Sequence, residues 1–131
     1  MTETEAGEVR SAAQHLIDAF GAHHRDEYFA CFAPDATFIF YTTPSVLGSR
    51  AAFEAEWDRW EREDGFRVLE CGSRDQSIQM AGDVAIFTHR VATRLRSQGE
   101  EISSDERETI VFQRNADGRW LAIHEHLSPT P

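Results

Sequence analysis

The chain has 131 residues, 40% of them hydrophobic, which is typical of one globular domain and too short for two. Its 23 acidic residues outnumber 13 basic residues, all of them arginine, and the formal net charge is -10. Such a charge repels nucleic acids and anionic membranes, so we expect neither as a partner.

The first ten residues, MTETEAGEVR, contain no apolar signal core, and no later apolar run is long enough to span a membrane. These features predict a cytoplasmic protein. The sequence also lacks GxSxG, GxGxxG, GxxxxGK and HExxH motifs, which argues against acyl-enzyme, dinucleotide, nucleotide and zinc-protease chemistry. We therefore expect no cofactor.

The N-terminal segment predicts two helices. Apolar residues recur at helical spacing from Glu5 to His24, which indicates an amphipathic helix. Asp26 is a suitable N-cap for a second, shorter helix that Pro34 would end. Three aromatic residues belong to that second segment: Tyr28, Phe29 and Phe32.

A strand, a loop and a third helix are predicted next. Residues 36–41, ATFIFY, are aromatic and β-branched, which favours a strand, and residues 42–48 make a loop. Ser49 is a suitable N-cap for the third helix. One face of that helix carries an aromatic stripe, which is usual in a core: Phe53, Trp57 and Trp60.

After Gly65 the pattern becomes strand-like. Four strands are predicted, over residues 66–80, 84–97, 102–114 and 119–128. Short connections rich in Gly, Asn and Asp separate them and indicate hairpins. The resulting order, α-α-β-α-β-β-β-β, predicts an α+β domain whose antiparallel sheet wraps around the N-terminal helices.

The last hairpin sets the expected position of two carboxyl groups. If the chain turns around residues 116–117, Ile110 faces Ile123 and Glu108 faces Glu125. Side chains alternate along a strand, so Glu125 points to one side of the sheet while its neighbouring histidines point to the other.

The preceding hairpin, turning around Gly99, would place Arg90 beside Glu108 unless a β-bulge shifts the pairing by one residue. One face of the sheet would then carry Val84, Ile86, Arg90, Glu108, Ile110, Phe112, Leu121, Ile123, Glu125 and Leu127. The opposite face would carry Phe87, His89, Val91, Arg107, Thr109, Val111, Trp120, His124 and His126.

The first of these faces is a candidate pocket floor. Adjacent carboxyl groups in apolar surroundings push one pKa upwards, which suits a general acid or base near neutral pH. We therefore interpret Glu125, Glu108 and Arg90 as candidate catalytic residues; the alternative is an exposed structural ion-pair network. The candidate ligand-binding residues are apolar or aromatic: Tyr41, Phe53, Trp57, Ile110 and Ile123.

The histidines offer an alternative site. His124 and His126 project together from one strand, and three neutral imidazoles including His89 would suit a zinc ion. Strand histidine pairs are more often hydrogen-bonded packing pairs or part of a subunit contact. We predict no metal site and keep the three histidines as the weaker alternative.

Three segments carry a resemblance to a known family: the helix pair with ATFIFY, the stretch LGSRAAFEAEW, and SSDERETIVFQRNADGRWLAIHEHLS. From about Val9 to Ser128 the chain resembles the SnoaL-like group of the nuclear transport factor 2-like superfamily. It is also similar to the association domain of calcium/calmodulin-dependent protein kinase II. The resemblance implies a cone-shaped sheet, an enclosed cavity, and a homodimer formed through the outer sheet surface.

The resemblance also implies roles for cavity residues. In the kinase association domain, cavity arginines bind small carboxylates; Arg90 matches one of them, whereas two others fall on Ile110 and Leu127, so that site is largely lost. Ketosteroid isomerase-like members move a proton next to a carbonyl with an acidic cavity residue. By this likeness, Glu125 or Glu108 would do the same.

The sequence thus predicts a small, cofactor-independent, homodimeric enzyme that performs acid/base isomerisation, dehydration or cyclisation on a small apolar substrate. Arg90 would stabilise developing negative charge. The alternative is a non-catalytic module for small-ligand binding or oligomerisation, in which Arg90, Glu108 and Glu125 form a satisfied network.

Overall fold

The computed structural model of the protein describes residues 3–131. Its elements are α1 (Glu3–Gly21), α2 (Arg25–Ala30), β1 (Phe32–Phe40), α3 (Arg50–Asp64), β2 (Arg67–Ala81), β3 (Val84–Ser97), β4 (Glu100–Arg114) and β5 (Trp120–Pro129). The predicted α+β class and element order are confirmed. None of the helices in this range is both long and apolar enough to cross a membrane.

The first and third helices follow the sequence pattern closely. The apolar stripe of α1 is buried, with Val9 fully excluded from solvent. Ser49 caps α3 as predicted, since its Oγ accepts a hydrogen bond of 3.0 Å from the Ala52 N–H. Gly65 ends α3 in the left-handed conformation at φ 63°, a backbone geometry that glycine adopts without steric cost.

The second helix is shorter than predicted. Asp26 lies inside α2 and does not cap it; His24 occupies the cap position without a side-chain hydrogen bond. Phe32, expected in the helix, belongs to β1 and pairs with Ala122 of β5. Pairing between distant strands therefore outweighs local helix preference here. Pro34 lies in β1 where the pairing is irregular, so its missing N–H costs no ladder bond.

The five strands form one curved, unclosed sheet in the order β1-β5-β4-β3-β2. β1 and β5 are parallel, and the other neighbouring pairs are antiparallel. The helices pack on the concave face, which we call the inner face, and the core lies between them and the sheet. This arrangement is the cone that the sequence predicted.

The register between β3 and β4 differs by one residue from the prediction. Ser97 pairs with Glu100, so the chain turns on two residues, Gln98 and Gly99, with φ of 54° and 79°. Positive φ at both positions is typical of a two-residue hairpin turn. The predicted turn had one more residue, and the error moves every β3 side chain to the other face. His89, not Arg90, therefore pairs with Glu108.

The register between β4 and β5 differs from the prediction by two one-residue shifts in the same direction. The last turn displaces the pairing by one residue, and a bulge between Ala122 and His124 displaces it by another. Ile110 consequently pairs with Glu125, and Glu108 pairs with Leu127. Glu125 keeps the inward orientation that was predicted, because two shifts restore the alternation.

These registers show that the sequence prediction had placed some residues on the wrong face of the sheet. The inner face carries Ala85, Phe87, His89, Val91, Thr93, Glu106, Glu108, Ile110, Phe112, Trp120, Ala122, Glu125 and Leu127. Several residues predicted to point inward lie on the outer face instead: Val84, Ile86, Arg90, Leu121 and Ile123.

Candidate active site

A cavity of about 400 Å³ lies between the helices and the inner face of the sheet. This volume is within the usual range for small-molecule sites. Tyr41, Phe53 and Trp57 line the cavity, as predicted for these candidate ligand-binding residues. Ile110 is fully buried in the core beside it, and Ile123 lies on the outer face, so neither of these two predictions is supported by the geometry.

The walls of the cavity are held by a dense aromatic cluster. Trp57 is fully buried, and its ring centroid lies 5.0 Å from that of Phe66 and 5.6 Å from that of Tyr28. Its indole N–H donates to Glu61 Oε2 at 2.9 Å, so the polar atom of the ring is satisfied. Interlocked rings leave few alternative rotamers, and the cavity walls are therefore stiff.

A larger depression, of about 660 Å³, lies among α1, α2 and the turn before β5. Its acidic lining residues, Glu8 and Glu27, are exposed. Glu125 in the smaller cavity, by contrast, is only 3% exposed. The smaller cavity is the better candidate.

Glu125 reaches the cavity from β5 and is only 3% exposed. The Tyr28 hydroxyl donates to its carboxyl oxygens at 3.2 and 3.4 Å. Burial raises the pKa of Glu125 well above its ordinary value, and the nearby Glu108 raises it further, while the Tyr28 hydrogen bond opposes the rise. Glu125 is therefore a weaker acid than an exposed glutamate.

Glu108 lies two residues before Ile110 on β4, diagonally across from Glu125. Burial raises the pKa of Glu108 to about 7, and a hydrogen bond from Glu125 moderates that rise by favouring the ionised form. The two carboxyl groups act as a pair, which we call the Glu108–Glu125 dyad. The pKa of each member is raised, and a pKa of about 7 lets Glu108 exchange a proton near neutral pH, as a general acid or base must.

His89 supports the dyad from behind. Its Nε2 lies 2.7 Å from Glu108 Oε1, and its Nδ1 lies 2.6 Å from Ser73 Oγ, which also accepts a bond from Gln76 Nε2 at 2.9 Å. Burial lowers the pKa of His89 to about 4, so the imidazole is neutral. A neutral imidazole has one donor and one acceptor nitrogen, and donation from Nε2–H to ionised Glu108 leaves Nδ1 to accept from Ser73 Oγ.

Arg90 does not belong to this cavity, contrary to its predicted role. It lies on the outer face, directly across from Arg107, and its Nη2 is 4.0 Å from Asp105 Oδ2. Its buried Nε has no hydrogen-bond partner among the described residues. The cause is the one-residue register difference, which exchanges Arg90 for His89.

A third carboxyl group, Glu106, lies closer to the open end of the cavity and is 7% exposed. It accepts a hydrogen bond of 2.5 Å from the Tyr41 hydroxyl and one of 3.2 Å from Ser104 Oγ. The bond to Glu106 is the main cause that raises the pKa of Tyr41 to about 12. Tyr41 therefore stays a hydroxyl and anchors the carboxylate.

Three residues of the site escaped the sequence prediction: Tyr28 and Glu106, which line the cavity, and His89, which contacts Glu108 from outside it. Glu106 was detectable in principle, because it precedes Glu108 by two residues and shares its face. His89 needed the correct turn length. The Tyr28 contact spans 97 positions of sequence separation, and no local pattern indicates it.

The histidine alternative is not supported by the fold. His124 and His126 lie on the outer face, with ring centroids 6.2 Å apart, and His124 Nδ1 is 2.8 Å from Thr37 Oγ1. His89 points into the protein from the opposite face. Across residues 3–131 no group of three metal-ligating side chains comes together.

Comparison with known proteins identifies the family. The model of the SnoaL-like domain matches residues 9–131. The chain belongs to the SnoaL-like family. The resemblance to the SnoaL-like group that the sequence had indicated is thereby confirmed. A search of curated proteins found no match.

Solved structures share this fold at low sequence identity. A candidate dehydratase of the nuclear transport factor 2-like family from Streptomyces avermitilis is 17% identical, with a TM-score of 0.77 and coverage of 99% of each chain. A ketosteroid isomerase-like protein from Erwinia carotovora atroseptica is 15% identical, with a TM-score of 0.78, covering 95% of this chain and 96% of that one. A Catenulispora acidiphila protein in complex with S-DNPA is 17% identical, with a TM-score of 0.78 and coverage of 96% and 93%.

Proposed function

We propose that this SnoaL-like domain is a cofactor-independent enzyme that isomerises, dehydrates or cyclises a small apolar substrate by acid/base catalysis. The observation that carries the proposal is the Glu108–Glu125 dyad in an apolar cavity, with the pKa of Glu108 raised to about 7. Burying a carboxyl group costs free energy, and buried carboxyl groups with a raised pKa are typical of sites that transfer protons.

Glu125 is the proposed general acid and Glu108 the general base. In a dehydration, Glu125 gives its proton to the departing hydroxyl, the carbon–oxygen bond breaks and water leaves. The Glu108 carboxylate takes a proton from the neighbouring carbon, and the electrons of that carbon–hydrogen bond form the new double bond. The proton then moves from Glu108 to Glu125 through their hydrogen bond, which restores the dyad.

His89 is a positioning residue in this proposal. Its hydrogen bond of 2.7 Å fixes one oxygen of Glu108, and Ser73 in turn fixes the imidazole. A base that is held in one orientation does not have to change its rotamer before it takes the substrate proton. Arg90 has no part in the reaction, because it lies on the outer face.

The cavity walls support an apolar substrate of small size. Phe53 and Trp57 give the cavity a flat aromatic boundary, and Tyr41 closes part of its open end. The structural likeness to proteins called a candidate dehydratase and a ketosteroid isomerase-like protein is consistent with this chemistry, and a related fold has been solved with a small molecule bound.

The proposed enzyme is a homodimer that forms through the outer sheet face. That face carries half-buried aliphatic and aromatic side chains on its central strands, Ile86, Val111, Leu121 and Ile123 among them, which a second copy would cover. Mass measurement in solution tests this assembly, and a monomer at micromolar concentration would exclude it.

A non-catalytic ligand-binding module is the second candidate. It is favoured by the hydrogen bonds that already satisfy Glu125 and Glu108 without any ligand. The two candidates differ in one result: a binding module keeps a ligand unchanged, whereas an enzyme converts it.

The test uses a panel of small cyclic alcohols, β-hydroxyketones and β,γ-unsaturated ketones, with products followed by mass spectrometry. We expect Glu125→Gln and Glu108→Gln each to lower turnover by about 10²–10⁴-fold, because each removes one proton-transfer group. Glu70→Gln, at a side chain that is 73% exposed, is the control and should keep full turnover. Unchanged turnover in both cavity variants would exclude the dyad as the catalytic pair.

A further inference from the structure

The cavity is lined by carboxyl groups and by no basic side chain of the described residues. Four acidic residues contribute to it: Asp64, Glu106, Glu108 and Glu125. Among the described residues that line it there is no arginine and no histidine. We infer that the cavity selects a cation with an apolar body, such as an ammonium group attached to a ring, over an anion of the same shape. The inference rests on the proposed function, since it names the substrate class of the same site.

Glu106 is the residue that carries this inference. It is 93% buried, since only 7% of its surface is exposed, yet its described partners are the hydroxyls of Tyr41 and Ser104. No arginine or histidine of residues 3–131 lies within ion-pair distance of it. Buried carboxylates usually have a cationic partner, because an uncompensated charge is costly to bury. A cationic ligand would supply that partner.

The tyrosine hydroxyls beside the carboxyl groups are not free to stabilise a negative ligand. Tyr28 donates to Glu125, and Tyr41 donates to Glu106. The proton of Glu125 is directed to Glu108. An anion in the cavity would therefore meet carboxyl oxygens and no unengaged side-chain donor of these groups, which is unfavourable by both charge and hydrogen bonding.

The aromatic walls favour the same charge. Tyr28, Trp57 and Phe53 line the cavity together with the carboxyl groups, and the electron-rich faces of such rings attract cations. Phe20, Phe40, Trp60 and Phe66 extend the aromatic boundary. Rings and carboxylates together bind substituted ammonium groups well, because the rings hold the alkyl part and the carboxylates hold the charge.

This charge preference bears on the reaction type. A substrate that loses its hydroxyl as water develops positive charge on carbon, whereas proton removal next to a carbonyl develops negative charge on oxygen. The surroundings of the dyad stabilise positive charge on carbon and give little stabilisation to negative charge on oxygen. Among the proposed reactions, dehydration and cyclisation through a cation-like transition state fit the cavity better than isomerisation through an enolate.

The experiment compares three naphthalene probes of nearly equal shape at pH 7.5: 2-naphthylmethylamine, which is cationic, 2-naphthylmethanol, which is neutral, and 2-naphthoate, which is anionic. Dissociation constants come from titration calorimetry. We expect the amine to bind at least tenfold more tightly than the alcohol, and naphthoate more weakly than either. Equal affinity for the amine and the alcohol, or tighter binding of naphthoate, would overturn the inference.

Matched variants locate the effect. Glu106→Gln should remove most of the difference between amine and alcohol while it leaves alcohol binding within about twofold, since an amide keeps the shape without the charge. Glu70→Gln removes one exposed charge elsewhere and should leave the difference unchanged. If the amine keeps its full advantage in Glu106→Gln, the assignment to Glu106 is wrong.

The same data separate this inference from the proposed function. Binding of the alcohol without preference for the amine leaves the apolar cavity and its dyad intact and rejects the charge selectivity alone. Normal charge selectivity together with full turnover in Glu125→Gln and Glu108→Gln rejects the proposed catalysis and keeps the cation site.

Discussion

The inner and outer faces of the sheet differ in how their charged side chains are paired. On β4, Glu106 and Glu108 point inward to neutral partners, whereas Asp105 and Arg107 point outward. Arg74 on β2 forms an ion pair of 2.8 Å with Asp105 on the outer face. Arginines and acids thus neutralise each other outside, while the inner face keeps acids alone.

The difference shows where charge has consequences. Exposed ion pairs such as Arg74 with Asp105 are screened by water and contribute at most about 1 kcal/mol each. Inside, the same type of group cannot be screened, so its pKa moves instead, and Glu108 is displaced to about 7. Function is therefore expected from the inner face and tolerance to substitution from the outer face.

The largest expected effect compares one substitution on the two faces. Ile110→Ala removes a fully buried side chain and should lower the free energy of unfolding by about 2–5 kcal/mol through the cavity it leaves. Ile123→Ala, on the outer face, should cost about 1 kcal/mol or less in the isolated monomer. Urea denaturation measures both. Equal costs would mean that the bulge in β5 does not separate the faces as described.

The next effect is a pH dependence of stability. Glu108 has its pKa raised from 4.5 to about 7, so the folded protein holds a proton that the unfolded chain releases. Its stabilising contribution is complete below pH 4.5 and is lost as the pH rises to about 7, a change of about 3 kcal/mol. The double variant Glu108→Gln/Glu125→Gln should lack this loss.

Chemical denaturation between pH 4.5 and 8 measures the difference between the two proteins. His89 works in the opposite direction: its pKa is lowered from 6.5 to about 4, so stability falls as the pH falls through that interval. Both proteins contain His89, so subtracting the two curves isolates the carboxyl contribution. Parallel curves would show that the dyad carboxyl groups have ordinary acidity.

A smaller effect concerns Tyr28, whose hydroxyl donates to Glu125 and lowers its pKa. Tyr28→Phe should raise the pKa of Glu125 further and cost about 1 kcal/mol of stability from the lost hydrogen bond. Carboxyl carbon NMR titration detects the pKa change. Tyr41→Phe, which removes the bond to Glu106 instead, is the matched control and should leave Glu125 unaffected. A lower pKa in Tyr28→Phe would contradict the geometry.

The smallest effect is expected for Arg90→Gln. Its ion pair with Asp105 is long, at 4.0 Å, and both side chains are substantially exposed, so the change in stability should stay within about 0.5 kcal/mol. Turnover should be unchanged, whereas His89→Gln should lower it. A strong loss of turnover in Arg90→Gln would return this arginine to the site and question the register of β3.

The sequence predicted the architecture because local patterns define most of it. Helical spacing identified α1, the cap at Ser49 placed α3, and turn residues separated the four long strands. The start of β1 was wrong, since the pairing of Phe32 with Ala122 depends on residues 90 positions away. Helix preference at Phe32 is a local property, and the partner strand overrides it.

The site could be predicted only where the alternation of side chains between the two faces of the sheet was predicted correctly. Glu125 and Glu108 share the inner face as predicted, because two shifts in the last hairpin add to two residues and keep the alternation, although Glu108 pairs with Leu127 and not with Glu125. The predicted turn at Gln98 and Gly99 had one residue too many, which put Arg90 in place of His89 and added a positive charge that the site does not have. The residues Gln98 and Gly99 do not define the length of the hairpin turn by themselves, yet this length decides whether His89 or Arg90 points to the inner face.

The bulge beside Ile123 has a consequence for how this strand can change over time. Residues before it, Trp120 and Ala122, anchor the core, and residues after it present Glu125 to the cavity. An insertion or deletion of one residue at this point would rotate the reactive end of β5 without disturbing its anchoring end. The bulge thereby sets the orientation of the second half of β5 separately from that of the first.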